Sequence, residues 1–159
     1  MRVSNGFLPT RSKEGRFTMA RLTVLFASAL FAASAWAAGI TVSGAWIRHL
    51  PAGVPAGGFF TLHNQSRDAI TLVGASSPDY AMVMMHQTVE EGGTSKMMPV
   101  DKIDLPAGGT VTFQPGGYHL MLMHAKHGVK VGSRIPVTLM FSGGGKVTAQ
   151  FEVRGPTAR

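Results

Sequence analysis

IDLPAGGTVTFQPGGYHLMLM, residues 103–123, alternates turn and strand at a rhythm that decides the fold. Leu105-Pro106-Ala107-Gly108-Gly109 reads as a turn, because proline cannot donate to a ladder and glycine takes positive φ without penalty. Residues 110–113 (TVTF) are β-branched or aromatic and read as a strand. Pro115-Gly116-Gly117 is a second tight turn, and residues 118–123 (YHLMLM) form the next strand. In that strand the period of two sends His119, Met121 and Met123 to one face and Leu120 and Leu122 to the other. No run between these breaks is long enough for an amphipathic helix.

The same rhythm continues outward in both directions. Residues 40–48 (ITVSGAWIR) alternate, with Ile40, Val42, Ala45 and Ile47 as the apolar set and an irregularity at Ser43-Gly44. A loop at residues 51–55 leads to a strand over 58–64, a turn over 64–68 and a strand over 69–75. Residues 80–89 (YAMVMMHQTV) are a further strand, with Met82, Met84 and His86 on one face and Ala81, Val83 and Met85 on the other. Glu91-Gly92-Gly93 turns the chain into a short strand carrying Met97 and Met98. Beyond residue 123 a loop over 128–132 precedes strands at 134–141 and 146–154, joined by Gly143-Gly144-Gly145. Residues 155–159 are expected to be a disordered tail. Short strands separated by turn signals every 8–12 residues or so, with no helix, predict an all-β, antiparallel sandwich or barrel.

Length and composition set the bounds. The chain has 159 residues, 45% apolar and 14% charged, which suits one globular domain. The net charge of +7 suggests nucleic acid until it is divided along the chain. Residues 1–37 hold five basic residues and one acid, which leaves ten basic and seven acidic residues from Ala38 onward. That balance is ordinary, and a nucleic-acid partner is not expected. Arg21 precedes an apolar run over residues 22–33, and Ala35-Trp36-Ala37 offers a small-x-small cleavage pattern. Residues 1–37 are therefore expected to be a signal peptide cleaved after Ala37. Met19 opens a signal of normal proportions and is the favoured true start. No later segment has the length of a spanning helix, so an exported domain over residues 38–154 with no membrane span is expected.

Cysteine is absent. Disulfides and thiolate chemistry are excluded, and with them a blue-copper electron carrier, which needs two histidines and a cysteine. No Ser/His/Asp set or paired carboxylates suggest hydrolysis. A copper monooxygenase that ligates through an N-terminal histidine is not expected, because cleavage would leave Ala38 first. The chain is expected not to be an enzyme.

The remaining chemistry lies in soft, neutral donors. His86, Met97, His119 and Met121 are spaced His-x10-Met-x21-His-x-Met. Thioethers select Cu(I), and imidazole accepts it. His119 and Met121 share a strand face beside a turn, and His86 and Met97 flank a hairpin whose strands can bring them within reach. Periodicity alone does not join the two pairs. His124, His127, Met84, Met98 and Met123 read as packing or surface residues, with auxiliary copper contact as the alternative. His49 and His63 read as structural.

The whole of residues 40–154 resembles the periplasmic copper chaperones of the PCuAC family. The resemblance is carried by GAWIRHLPAGVPAGGFFTLHN, LVGASSPDYAMVMMHQTV and MMPVDKIDLPAGGTVTFQPGGYHLMLM, together with the His/Met spacing. It implies a cupredoxin-like Greek-key β-sandwich and one exposed Cu(I) site made by His86, Met97, His119 and Met121. It further implies delivery of copper to an acceptor, the binuclear centre of cytochrome c oxidase subunit II, beside Sco-type thiol proteins, by a monomer. Copper storage or resistance, or a metal-free interaction module, are the alternatives.

Overall fold

The computed structural model describes residues 39–51, 53–126 and 128–159. The expected leader (residues 1–37, with Met19 and Ala37) and His127 lie outside the described residues. Ten strands follow one another: β1 (Ile40–Arg48), β2 (Ala56–Asn64), β3 (Ile70–Ser76), β4 (Tyr80–Glu91), β5 (Thr94–Pro99), β6 (Ile103–Leu105), β7 (Thr110–Phe113), β8 (Tyr118–Ala125), β9 (Arg134–Phe141) and β10 (Lys146–Arg154). Their hydrogen-bonded order is β5-β4-β8-β7-β2-β1-β10-β9-β3-β6, and β8 also pairs with β2. Pairing is antiparallel except for β1 with β10 and a single bridge between β7 and β8.

One apolar cluster receives side chains from every strand of the order except β5. Ile47, Phe60, Leu62, Leu72, Met85, Leu105, Phe113, Leu120, Leu139 and Phe151 all belong to it. A sheet whose strands feed a single core must turn back over itself, and the result is the expected all-β sandwich. Phe60 stacks on Phe113 at 4.2 Å between centroids and meets Phe151 edge-on at 5.5 Å, which centres the core beneath β2.

β1 shows how an irregularity serves the packing. Its register against β2 shifts between Ser43 and Trp46, and Gly44 takes φ +59°. One inserted residue swaps the parity of the strand. Ile40 and Val42 face the core before the bulge, and Ala45 and Ile47 after it. Trp46 and Arg48 are thereby turned to the outer face.

Several details differ from expectation. Ile103–Leu105, expected as part of a turn, is a short strand paired with β3, because Ile103 and Leu105 both reach the core. Ser142–Gly144 forms a 3₁₀ turn in place of a simple hairpin. Residues 155–159, expected as a tail, include a turn closed by the Ala158 N–H donating to Gly155 O at 3.2 Å. β4 runs on to Glu91, and with β5 it makes a hairpin arm. All six residues of β5 are exposed, so this strand adds nothing to the core.

Candidate metal centre

β4 lies between β5 and β8, and its register on both sides fixes the site. His86 stands directly opposite His119 of β8, and Met84 opposite Met121. On the other side Thr88 stands opposite Met97 of β5. Side chains opposed across an antiparallel pair share a face, as do residues two apart in one strand. His86, Met97, His119 and Met121 therefore project from one face of three adjacent strands, with His86 in the middle. The opposite face carries Val83, Met85, Leu120 and Leu122 into the core. Met98 also points away from the four, being paired with Gln87 on that other face.

The two imidazoles are nearly enclosed, His86 being 6% and His119 8% exposed, and their centroids lie 5.8 Å apart. His119 Nδ1 lies 3.1 Å from Gly117 O. A carbonyl can only accept, so Nδ1 carries the proton and the Nε2 lone pair is free for a metal. The Pro-Gly-Gly turn legible in the sequence supplies this orienting group. Gln114 accepts from the Gly117 N–H at 3.0 Å and donates to Tyr118 O at 2.8 Å, which locks the turn around Pro115 and Gly116. Gly117 O also accepts from the Thr88 N–H at 3.1 Å, tying the turn to β4 where it faces Met97. A partner that fixes the tautomer of a ligating histidine is a usual companion of metal sites.

His86 differs from its neighbour. Its Nδ1 is buried without a hydrogen-bond partner. Burial, and next the adjacent His119, push its pKa below the ordinary imidazole value. Both effects keep the ring neutral, which is the form that binds metal. An unpartnered buried nitrogen costs about 1–3 kcal/mol, and coordination would recover part of that.

Met97, His119 and Met121 open into one groove of about 410 Å³, whose other walls include Arg48, Phe59 and Thr88. Met97 is 66% exposed on the arm. Arg48 lies 5.1 Å over the Phe59 ring and 5.5 Å over Trp46, and Arg154 lies 5.3 Å over Trp46. The stack of Arg48 on Phe59 forms part of one wall of the groove, with Trp46 and Arg154 behind it. Gly57 pairs with Met121, and a Cβ there would come within 2.9 Å of the Phe59 ring, so the wall needs glycine at this point. Sequence reasoning missed Arg48, Phe59 and Gly57. The parity of Trp46 and Arg48 after the bulge was the signal that could have found the first.

Of the remaining candidates, Met84 and Met123 share the face of the site, and His124 is exposed with φ +52°. His63 lies on β2 between Thr41 and Thr110, away from the groove. His49 lines a separate cleft with Tyr80, Met123 and His124. Among the described residues no three His, Cys, Asp or Glu side chains converge, so a metal centre there depends on the thioethers.

A β-sandwich presenting two imidazoles and two thioethers on one face defines a class of domain suited to soft metal ions. Comparison with known proteins gives that class its family. The profile of the family described as "Putative lipoprotein LpqE-like" matches residues 40–153, and the chain belongs to this family. Lxx21020 of Leifsonia xyli subsp. xyli, which carries the same lipoprotein description, is 36% identical over 107 residues, 67% of this chain and 64% of its own. The chain thus spans less than two thirds of that relative. Among solved structures, CuI-DR1885 from Deinococcus radiodurans is 31% identical with a TM-score of 0.60, covering 77% of this chain and 83% of that one. The copper-bound PCuAC domain from PmoF2 is 28% identical with a TM-score of 0.62, covering 74% and 94%. The fold is that of the PCuAC domains. Among the described residues no helix is long and apolar enough to cross a membrane.

Proposed function

We propose that the protein is a periplasmic Cu(I) carrier, which binds one ion tightly through His86, Met97, His119 and Met121 and hands it to an acceptor protein. The observation that carries this reading is the register of β5, β4 and β8, which gathers all four donors on one face with His119 already oriented by Gly117. The copper-bound forms of its structural relatives support the choice of metal.

Four neutral ligands leave the centre with the single positive charge of the ion. Cu(I) accepts tetrahedral or lower coordination, whereas Cu(II) prefers tetragonal nitrogen and oxygen ligands that this set lacks. Bound copper is held reduced, and without a thiolate it is open to capture by a cysteine-rich acceptor. The binuclear copper centre of cytochrome c oxidase subunit II is the acceptor that the family resemblance implies, with Sco-type thiol proteins as companions. Anaerobic Cu(I) titration against a competing chelator tests the centre, with one tight equivalent expected and no strong blue band on oxidation. Transfer to a soluble fragment of the oxidase subunit tests the carrier role, and failure to transfer would refute it.

A further inference from the structure

The β4–β8 ribbon continues beyond the His86–His119 rung with two rungs of methionine, Met84 opposite Met121 and Met82 opposite Met123. All four thioethers lie on the outer face, because the alternating residues Val83, Met85, Leu120 and Leu122 pack inward. Opposed Cβ atoms are about 5 Å apart and successive rungs about 6.6 Å. Unbranched methionine side chains can converge across such a rectangle.

Methionine ordinarily fills gaps in a core. Met82 and Met84 fill none, being 47% and 37% exposed. A single exposed apolar side chain is unremarkable, but paired rungs of thioether running straight on from a soft-metal centre have chemistry in common with it. The β8 members of the two rungs also line two adjoining cavities. Met121 lines the 410 Å³ groove with Met97 and His119, and Met123 lines a neighbouring cleft of about 610 Å³. Leu50, Val54, Pro55 and Ala56 line both, so Met121 and Met123 stand on either side of that loop and strand start.

We propose that Met82, Met84 and Met123 form a second, thioether-only Cu(I) site, one rung from the His/Met centre and linked to it through Met121. This rests on the reading that the face handles Cu(I). The ion passes between the sites by ligand exchange: its bonds to the His86 and His119 nitrogens and the Met97 sulfur break as bonds to the Met82, Met84 and Met123 sulfurs form, Met121 serves both, and copper stays Cu(I). The thioethers of the second site bind without losing a proton, and the two imidazoles leave the ion as neutral rings. The second site lacks imidazole, and an ion there feels the charge of one about 7 Å away, so it binds at least about tenfold more weakly. It serves as a station for copper entering or leaving, filled when the first site is full or emptying.

The test is anaerobic Cu(I) titration of protein carrying ¹³C-labelled methionine ε-methyl groups, followed by NMR. The first equivalent is expected to shift Met97 and Met121. The second shifts Met82, Met84 and Met123 and leaves Met98, exposed on the opposite face, unmoved. The M82L/M84L/M123L variant, in which leucine conserves volume, loses the second event and keeps the first. Absence of a second event in the wild type overturns the proposal. So does a response of Met98 equal to that of the ladder, or movement of all five methionines with the first equivalent alone. If Met97 and Met121 never respond while Met82, Met84 and Met123 do, the His/Met centre fails and the thioether site stands.

Discussion

The two imidazoles of the site and Met97 project from the same face of three neighbouring strands, yet they live in opposite surroundings. His86 and His119 are closed off from water over a core strand whose next residue, Leu120, is wholly buried. Met97 stands on an arm whose strand buries nothing. The histidine half is preorganised, with the His119 ring pinned by Gly117 before any ion arrives. Under the proposed ligand set the arm would surrender side-chain and backbone freedom on engaging an ion through Met97, and that entropy would oppose binding. The proposed carrier would gain from this division, with one half to hold the ion and the other to let it go.

The largest effect is expected on the rigid half. His119→Ala should weaken Cu(I) binding by at least about a hundredfold, since outer partners of metal ligands alone are worth roughly 10–100-fold. Met121→Ala should follow closely, and chelator competition measures both. Met97→Ala should cost only about tenfold, expressed chiefly as faster release in stopped-flow experiments, because ordering the arm offsets much of what the Met97 thioether contributes. Equal losses at His119 and Met97 would break the comparison between the halves.

Hydrogen exchange sharpens it without metal. Amides of β5 should exchange well ahead of those in β8, whose opening requires exposing Leu120 and Leu122. Acid affects the rigid half selectively. The folded state holds His86 below its ordinary pKa, so the unfolded chain binds more protons at mildly acidic pH. That stability is present above the ordinary value of about 6.5 and is lost as pH falls through the lowered one. Urea midpoints of the apoprotein should decline over that window, and His86→Gln should flatten the decline. The smallest effect is expected at His63, whose replacement by alanine should leave Cu(I) affinity within about twofold, as a site distant from the ligands.

Much of the sandwich was legible because its strands are short, alternating and punctuated by Gly and Pro. The bulge at Ser43-Gly44 could be read from the apolar set itself, which jumps from Val42 to Ala45. β6 could not, since three residues carry no period and only pairing with β3 makes them a strand. Strand order was also beyond periodicity: nothing local places β10 beside β1 in parallel. For the site, the shared face of His119 and Met121 follows from spacing. The union of His86 with His119 depends on β4 entering between β5 and β8, a pairing of residues far apart in the chain. The burial of both imidazoles was hidden too, because histidines between turn signals look like surface residues until neighbouring strands close over them.

β1 begins at Ile40, paired with Asn64, and ends at Arg48, paired with Gly57 beside the groove. Those ends are roughly 27 Å apart at about 3.4 Å per residue. Gly39 therefore stands at the heel of the domain, while the lip of the groove is at the toe. A tether attached ahead of β1 would leave the groove free of its attachment point, and its length would set the radius over which that lip can sweep.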